Sequence, residues 1–202
     1  MSLTNSKFIK VFHLYLFLYR TKSMKQYKPL IFFLLRFLGS YIVMILIYNW
    51  YLNQYLPNGI PDPFTKLSSD LAAKGFNLLG FQSSSIHIGN ESFMRLIVDG
   101  KYSSIVNEGC NAISILIIFV AFILAFYTTF KKTFLYIIIS LMLLFVMNIS
   151  RIILLTYIYR FHSEYSKMAH DYLFPAIIYG AIILLWIVWI KGFVIKNKKD
   201  AE

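Results

Sequence analysis

The sequence contains a single cysteine, Cys110, which stands at the start of a hydrophobic stretch. Arg151 lies near the end of the next hydrophobic stretch, and His170 lies just before the last one. A thiolate can attack a carbonyl carbon, an imidazole can transfer protons, and a guanidinium can donate hydrogen bonds to the resulting oxyanion. These three residues therefore predict a cysteine-nucleophile site, provided that the fold brings them to one side of a membrane.

Each of these residues also has a structural interpretation. A lone cysteine is often a small buried apolar residue, and an arginine in a membrane helix can extend its side chain to the interface. His162 shares a connecting loop with His170, and His87 lies in a larger loop, so both are alternative candidates for the histidine. Gly109 and the polar residues beside the cysteine favour a site, because a structural thiol lies more often in the middle of a span.

Four polar neighbours are predicted to bind substrate or to support the site. Asn148 precedes Arg151 by one helical turn and therefore shares its helix face; alternatively, it contributes to a helix–helix contact. Glu108 and Asn111 flank the cysteine, and Asp171 follows the histidine. In a purely structural alternative, Arg151 pairs with Glu108 or Asp171. One cysteine and scattered histidines lack the spacing of a zinc site, so no metal is predicted.

The composition is that of a membrane protein. Apolar residues make up 58% of the chain and charged residues 14%, against about 45–50% and about 25% in soluble domains. The apolar residues collect in runs, and about 20 such residues span a bilayer as a helix. We predict an all-α polytopic membrane protein with four transmembrane helices, over about residues 30–51, 110–127, 134–157 and 173–190.

The net charge of +11 reports membrane orientation. Twelve basic residues fall in three segments that flank the spans: Lys7, Lys10, Arg20, Lys22, Lys25, Lys28, Lys131, Lys132, Lys191, Lys196, Lys198 and Lys199. Basic residues concentrated on one side mark cytoplasmic loops, so both termini are predicted to be cytoplasmic. This distribution argues against a nucleic-acid partner.

The domain organisation follows from these segments. Residues 1–29 form a basic cytoplasmic or interfacial segment, residues 30–190 a membrane domain, and residues 191–202 a basic cytoplasmic tail. The outer loop, residues 52–108, is predicted to hold a short helix over about 67–79 and two strands over about 92–98 and 101–107. The dipeptide Asp99-Gly100 between the strands is a strong hairpin signal.

The predicted topology places the three reactive residues at one depth. Cys110 and His170 adjoin the outer ends of their spans. Arg151 lies roughly 27 Å from the inner end of the third span, at about 1.5 Å per residue. The hydrocarbon core is about 30 Å thick, so Arg151 also lies near the outer edge.

The spacing of these residues resembles the exosortase/archaeosortase family of membrane cysteine transpeptidases. In that family a cysteine opens a span after a short outer strand, Asn-x-x-Arg follows in the next span, and a histidine precedes the last one; Cys110, Asn148 to Arg151, and His170 occupy these positions. The chain looks most like the compact F-type exosortases of Bacteroidetes. It departs from the common motif at Ser114, where an arginine is usual, and larger members have more spans.

The resemblance implies a cysteine peptidase and transpeptidase of the bacterial inner membrane, with its active site facing the periplasm and no cofactor. Its substrates would be exported proteins with a C-terminal sorting signal, consisting of a short motif, one span and a basic end. Cys110 would form an acyl-enzyme, and an amine-bearing envelope acceptor would release the product. The alternative is a non-enzymatic assembly partner in an envelope complex. A transporter ranks lower, because transporters bind near the bilayer midplane.

Overall fold

A computed structural model describes the backbone of residues 3–196 and the side chains of residues 27–196. In chain order it contains α1 (Leu3–Leu52), α2 (Pro63–Leu78), β1 (Ser83–Ile86), β2 (Met94–Val98), β3 (Lys101–Val106), α3 (Ile113–Ala125), α4 (Phe130–Phe161), α5 (Ser166–Met168) and α6 (Phe174–Trp189). Short π-helical segments, Ala169–Leu173 and Ile190–Ile195, flank α6. The chain is thus mostly helical with a small sheet.

Three helical segments in the described residues are long and apolar enough to cross a membrane. They are Tyr27–Asn58, Phe130–Phe161 and Ser163–Ile195, of 32, 32 and 33 residues. The prediction of a helical, multi-pass membrane protein is therefore confirmed. The third and fourth predicted spans are longer at both ends than expected, since the helical backbone continues beyond the apolar runs.

The predicted second span corresponds to the shorter helix α3. Its 13 residues measure about 20 Å at a rise of about 1.5 Å per residue, less than the hydrocarbon thickness of about 30 Å. The chain turns immediately before it at Ala112, whose φ is +62°, and leaves the helix after it at Phe126. Four spans therefore remain a prediction, of which three have the length required.

The predicted terminal segments are not tested by this structure. The backbone from Leu3 onward is continuous with the first membrane helix, but the side chains before Tyr27 lie outside the described residues. Residues 197–202 of the predicted basic tail lie outside them as well. The division into segments 1–29, 30–190 and 191–202 stays a prediction.

Helix α2 and the sheet form a small unit beside the membrane helices. Asp62 caps α2 by accepting hydrogen bonds from the amides of Phe64 and Thr65, at 3.0 and 3.2 Å, and Pro63 occupies the first turn, where its missing N–H costs nothing. The helix consequently begins several residues before the predicted position. It covers one face of the sheet, where Leu96 of β2 is fully buried.

The three strands pair antiparallel in the order β1-β2-β3. The predicted hairpin is confirmed, because Asp99 (φ +50°) and Gly100 (φ +69°) form the turn between β2 and β3. The pairing shifts between Leu96 and Ile97 and leaves Ser103 of β3 without an opposite residue. Strand β1 was not predicted and is added to the other side of β2.

A second core joins α3, α4 and α6 at the end of the bundle away from the sheet. Its centre is Trp189, which is fully buried and donates a hydrogen bond from Nε1 to the Phe126 carbonyl at 3.2 Å. The Tyr136 hydroxyl donates to the Leu185 carbonyl at 2.6 Å. The first bond holds the end of α3 to α6, and the second joins α4 to α6, so that polar atoms inside this apolar core are satisfied.

Candidate active site

A cavity of about 580 Å³ opens between β3, the turn that follows it, α4 and the π-helical turn before α6. Cys110, Arg151 and His170 all line it. They come from three different elements and are separated by up to 60 residues in the chain. The remaining lining residues are Tyr102, Ser103, Ser104, Ile105, Asn107, Gly109, Leu155 and Tyr159.

Cys110 is held in a sharp turn between β3 and α3. It ends a single 3-10 turn, Glu108–Cys110, in which its amide donates to the Asn107 carbonyl at 2.9 Å. Two residues later Ala112 adopts a left-handed backbone conformation with φ +62°, which is costly for any residue with a Cβ. Strained residues of this kind concentrate at functional sites. Here the left-handed residue turns the chain beside the half-buried Cys110.

Asn148 ties this turn to α4. Its Nδ2 donates to the carbonyl oxygen of Cys110 at 2.8 Å, and its side chain is fully buried. One helical turn later, Arg151 lines the cavity, and its Nε has no hydrogen-bond partner within the described part of the chain. The Asn-x-x-Arg spacing thus places the amide behind the cysteine backbone and the guanidinium in the cavity.

His170 lies in the π-helical segment Ala169–Leu173. Its Nδ1 is 2.8 Å from Oδ1 of Asp171. Because a carboxylate can only accept, this contact assigns the Nδ1 proton to the ring and leaves Nε2 as the nitrogen free to exchange a proton. Asp171 does not itself line the cavity; it contacts the histidine and also interacts electrostatically with Tyr159.

The two competing histidines lie elsewhere. His162 is 4.0 Å from Glu164 in the exposed turn after α4. The Nε2 of His87 contacts the carbonyl oxygens of Glu91 and Gly59, at 2.7 and 3.3 Å. Neither lines the cavity.

Asn111 supports the cysteine turn from behind. Its Oδ1 accepts from the amide of Ile113 at 2.9 Å, and its Nδ2 donates to the hydroxyls of Thr65 and Tyr48, both at 3.2 Å. Thr65 in turn donates to the buried carboxylate of Asp62. This network fastens the start of α3 to α2 and to the first membrane helix.

The remaining predicted residue, Glu108, is half-buried and does not line the cavity. The structural alternative required Arg151 to pair with Glu108 or Asp171. Within residues 27–196 neither carboxylate forms an ion pair with that arginine. The same described residues contain no group of three histidine, cysteine or acidic side chains close enough to hold a metal ion.

Two residues of the site, Tyr159 and Ser104, were not predicted from the sequence. Tyr159 lies two turns beyond Arg151 on α4, lines the cavity, and is close enough to Cys110 to interact with it electrostatically. Ser104 shares a hydrogen bond of 2.7 Å with Thr156 and so joins β3 to α4. A count of helical turns forward from Arg151 would have found Tyr159.

A family model described as transmembrane exosortase matches residues 9–191 of the chain. The matched region includes α2, the whole sheet and every residue that lines the cavity. No curated protein and no solved structure shows significant similarity to the chain.

Proposed function

Because this chain belongs to the transmembrane exosortase family, we propose that it is a cysteine peptidase and transpeptidase. It cleaves the C-terminal sorting tail of exported proteins and transfers them to an amine-bearing envelope acceptor. The observation that carries the proposal is the meeting of a thiol, a guanidinium and an imidazole at one cavity. The narrower assignment to the compact F-type exosortases rests on the residues around Cys110.

We place the protein in the bacterial inner membrane with both termini in the cytoplasm and the cavity facing the periplasm. The basic segments support this orientation, since they flank the spans on one side. In this arrangement helix α3 is the second of the four spans in chain order. Substrates then meet Cys110 at the outer surface, where the tail of an exported protein emerges from the bilayer.

The first half of the reaction forms a thioester. Cys110 transfers its proton to Nε2 of His170, and the thiolate attacks the carbonyl carbon of the scissile bond. Arg151 donates hydrogen bonds to the oxyanion, a contribution worth about 10²–10³ in rate for one donor in other acyl-transfer enzymes. The intermediate collapses, the C–N bond breaks, and the imidazolium returns its proton to the leaving amine.

The second half transfers the acyl group. An amine of the acceptor attacks the thioester carbonyl and gives up a proton to His170, while the C–S bond breaks and restores the thiolate. Asp171 holds the imidazole in the tautomer that both halves require. Asn148 supports the geometry by fixing the carbonyl of the nucleophilic residue.

The proposal is tested by replacing the thiol. Cys110→Ala abolishes processing of tailed exported proteins in the host, at an unchanged level of the membrane protein. Ser114→Ala provides a matched control, because this exposed hydroxyl lies about one turn farther along the same segment. Processing that persists in Cys110→Ala excludes the cysteine mechanism and favours the non-enzymatic assembly role.

Orientation is tested with the same residue. Since Cys110 is the only cysteine in the chain, any label that the purified chain carries after treatment of intact spheroplasts with a membrane-impermeant maleimide lies at this residue. Labelling without permeabilisation supports a periplasmic cavity. Labelling that requires permeabilisation, together with free reactivity in detergent, contradicts it.

A further inference from the structure

The cavity runs along the edge of β3. Four consecutive residues of this strand line it, namely Tyr102, Ser103, Ser104 and Ile105. Side chains of a strand alternate between its two faces, so a cavity against one face would be lined by every second residue. Ser103 is the extra residue of the strand, but beyond it Ser104 and Ile105 are opposite successive residues of β2 and so lie on opposite faces. Since both line the cavity, the open space follows the strand's edge, opposite the side that pairs with β2.

This edge offers unpaired backbone groups. β3 is the last strand of the sheet, and in the described residues its backbone makes no hydrogen bond to another backbone group on that side. The two residues that flank a two-residue turn, Val98 and Lys101, form a hydrogen-bonded pair, and pairs alternate along an antiparallel ladder. The N–H and C=O of Tyr102 therefore point away from β2, toward the cavity.

The position of β3 in the chain connects this edge to the nucleophile. The strand ends at Val106, and the chain reaches Cys110 four residues later and then enters α3. A polypeptide lying beside β3 and running in the same direction would arrive at the thiol and then at the membrane helix. An exported protein with a C-terminal tail has the same order of parts: folded domain, recognition segment, scissile bond and span.

We propose that the substrate segment immediately preceding the scissile bond binds in an extended conformation as a fourth strand, parallel to β3 and hydrogen-bonded to its outer edge. This inference rests on the proposed function and specifies how that site holds its substrate. Strand addition supplies affinity through main-chain bonds, so recognition tolerates varied side chains at alternate positions. Leu155 and Tyr159 of α4 form the opposite wall, against which the outward side chains pack.

The other free edge of the sheet does not offer the same site. β1 has four residues, and none of them lines the cavity. Its end is also occupied by Asn77, whose side chain bonds both the amide and the carbonyl of Ser83, at 2.7 and 3.1 Å. The substrate strand is therefore assigned to β3.

The test on the enzyme compares Tyr102→Pro with Tyr102→Ala in the full chain. Both variants remove the ring, but only proline removes the outward N–H, and an edge strand tolerates proline at such a position. Processing of tailed exported proteins is followed by immunoblot during a pulse-chase. Proline lowers the processing rate by roughly 2- to 10-fold relative to alanine, as one lost hydrogen bond predicts. Equal rates in the two variants overturn the proposal.

The test on the substrate remains decisive if Tyr102→Pro does not accumulate. Each of the six residues before the cleavage site of one processed protein is changed to proline, with alanine at the same position as its control. A parallel added strand donates to β3 from every second residue. Proline should therefore lower the processing rate more than alanine does at every second position of the substrate, and by the same amount as alanine at the positions between. A loss confined to one position, or without alternation, overturns the proposal.

Two further outcomes are distinguishable from these. If β3 pairs with a second copy of the chain, Tyr102→Pro changes the oligomeric state in detergent while processing equals that of Tyr102→Ala, and strand addition by substrate is refuted. If Cys110→Ala continues to process substrate, the proposed function itself is wrong. Loss of processing in Cys110→Ala, combined with equal rates for the two Tyr102 variants, refutes only the fourth strand.

Discussion

Replacement of Asn148 by alanine tests whether the contact between α4 and the cysteine turn positions the nucleophile. The amide is fully buried and donates to the carbonyl of Cys110 at 2.8 Å. No other hydrogen bond to this carbonyl is present among the described residues. Asn148→Ala therefore leaves a carbonyl of the nucleophilic residue without a partner.

The magnitude follows from the cost of leaving this part-buried acceptor unsatisfied, which is about 1–3 kcal/mol for a buried group. The free energy of unfolding of Asn148→Ala falls by about this amount. If this free energy shifts only the equilibrium between the native and a displaced position of the cysteine turn, the fraction of molecules with Cys110 in its native position falls by about 5- to 150-fold. The processing rate then falls by up to the same factor, while the level of protein in the membrane changes little.

The assay measures processing of a tailed substrate by pulse-chase and thermal unfolding of the purified protein in detergent. Ser150→Ala is the matched control, because Ser150 lies between Asn148 and Arg151 and its exposed hydroxyl bonds only within its own helix, to the Val146 carbonyl at 3.0 Å. A processing rate for Asn148→Ala within twofold of the control, with the same unfolding midpoint, would refute the positioning role.

Three further substitutions test other parts of the structure. Arg151→Lys lowers the processing rate by about 10²-fold, because an ammonium does not reproduce the planar donor pair of a guanidinium. His170→Ala lowers it by about 10²–10⁴-fold through loss of the proton-transfer group, measured in the same pulse-chase. Gly59→Ala lowers the free energy of unfolding by more than about 2 kcal/mol, since its φ is +64° and the new Cβ would overlap the Asn90 carbonyl; thermal unfolding measures this loss.

Each of these has a control in the same chain. Arg160→Lys changes an arginine of α4 that does not line the cavity, and His162→Ala changes a histidine of the adjacent turn; both should process substrate normally. Gly89 also has a left-handed backbone conformation, with φ +66°, but a Cβ added there would meet nothing within 4 Å. Gly89→Ala should therefore lower the free energy of unfolding by only about 1 kcal/mol. Equal effects within any pair would contradict the corresponding argument.

Local signals in the sequence predicted part of the fold. Asp99-Gly100 determines its hairpin through the conformations of two adjacent residues, and that prediction is confirmed. The signal for the start of α2 was also present, as an aspartate followed by proline at positions 62 and 63. The same stretch also holds Pro57, Gly59 and Pro61, which favour an extended chain and hide the helix start. Strand β1 carries three serines and no alternation, and it forms through pairing with β2 and the side chain of Asn77.

The arrangement of the site residues could not be predicted from their neighbours in the sequence. The Asn148-x-x-Arg151 spacing places the two side chains on one helix face, but which side chain faces the cysteine backbone depends on how α4 packs. His170 and His162 are eight residues apart with similar surroundings in the sequence. Only His170 reaches the cavity, because it lies in a π-helical turn that the sequence does not predict.

The short helix α3 has a consequence for the lipid around the site. In the four-span arrangement, 13 residues must match an acyl-chain region that exceeds them by roughly 10 Å. Hydrophobic mismatch of this kind is relieved by local thinning of the bilayer, at a fraction of a kcal/mol per ångström. Lipid headgroups beside Cys110 would then lie closer to the midplane of the bilayer. The scissile peptide bond of a substrate, which precedes its membrane-spanning tail, would have to move a shorter distance out of the bilayer to reach the thiol. Activity in reconstituted vesicles should therefore decrease as acyl chains lengthen.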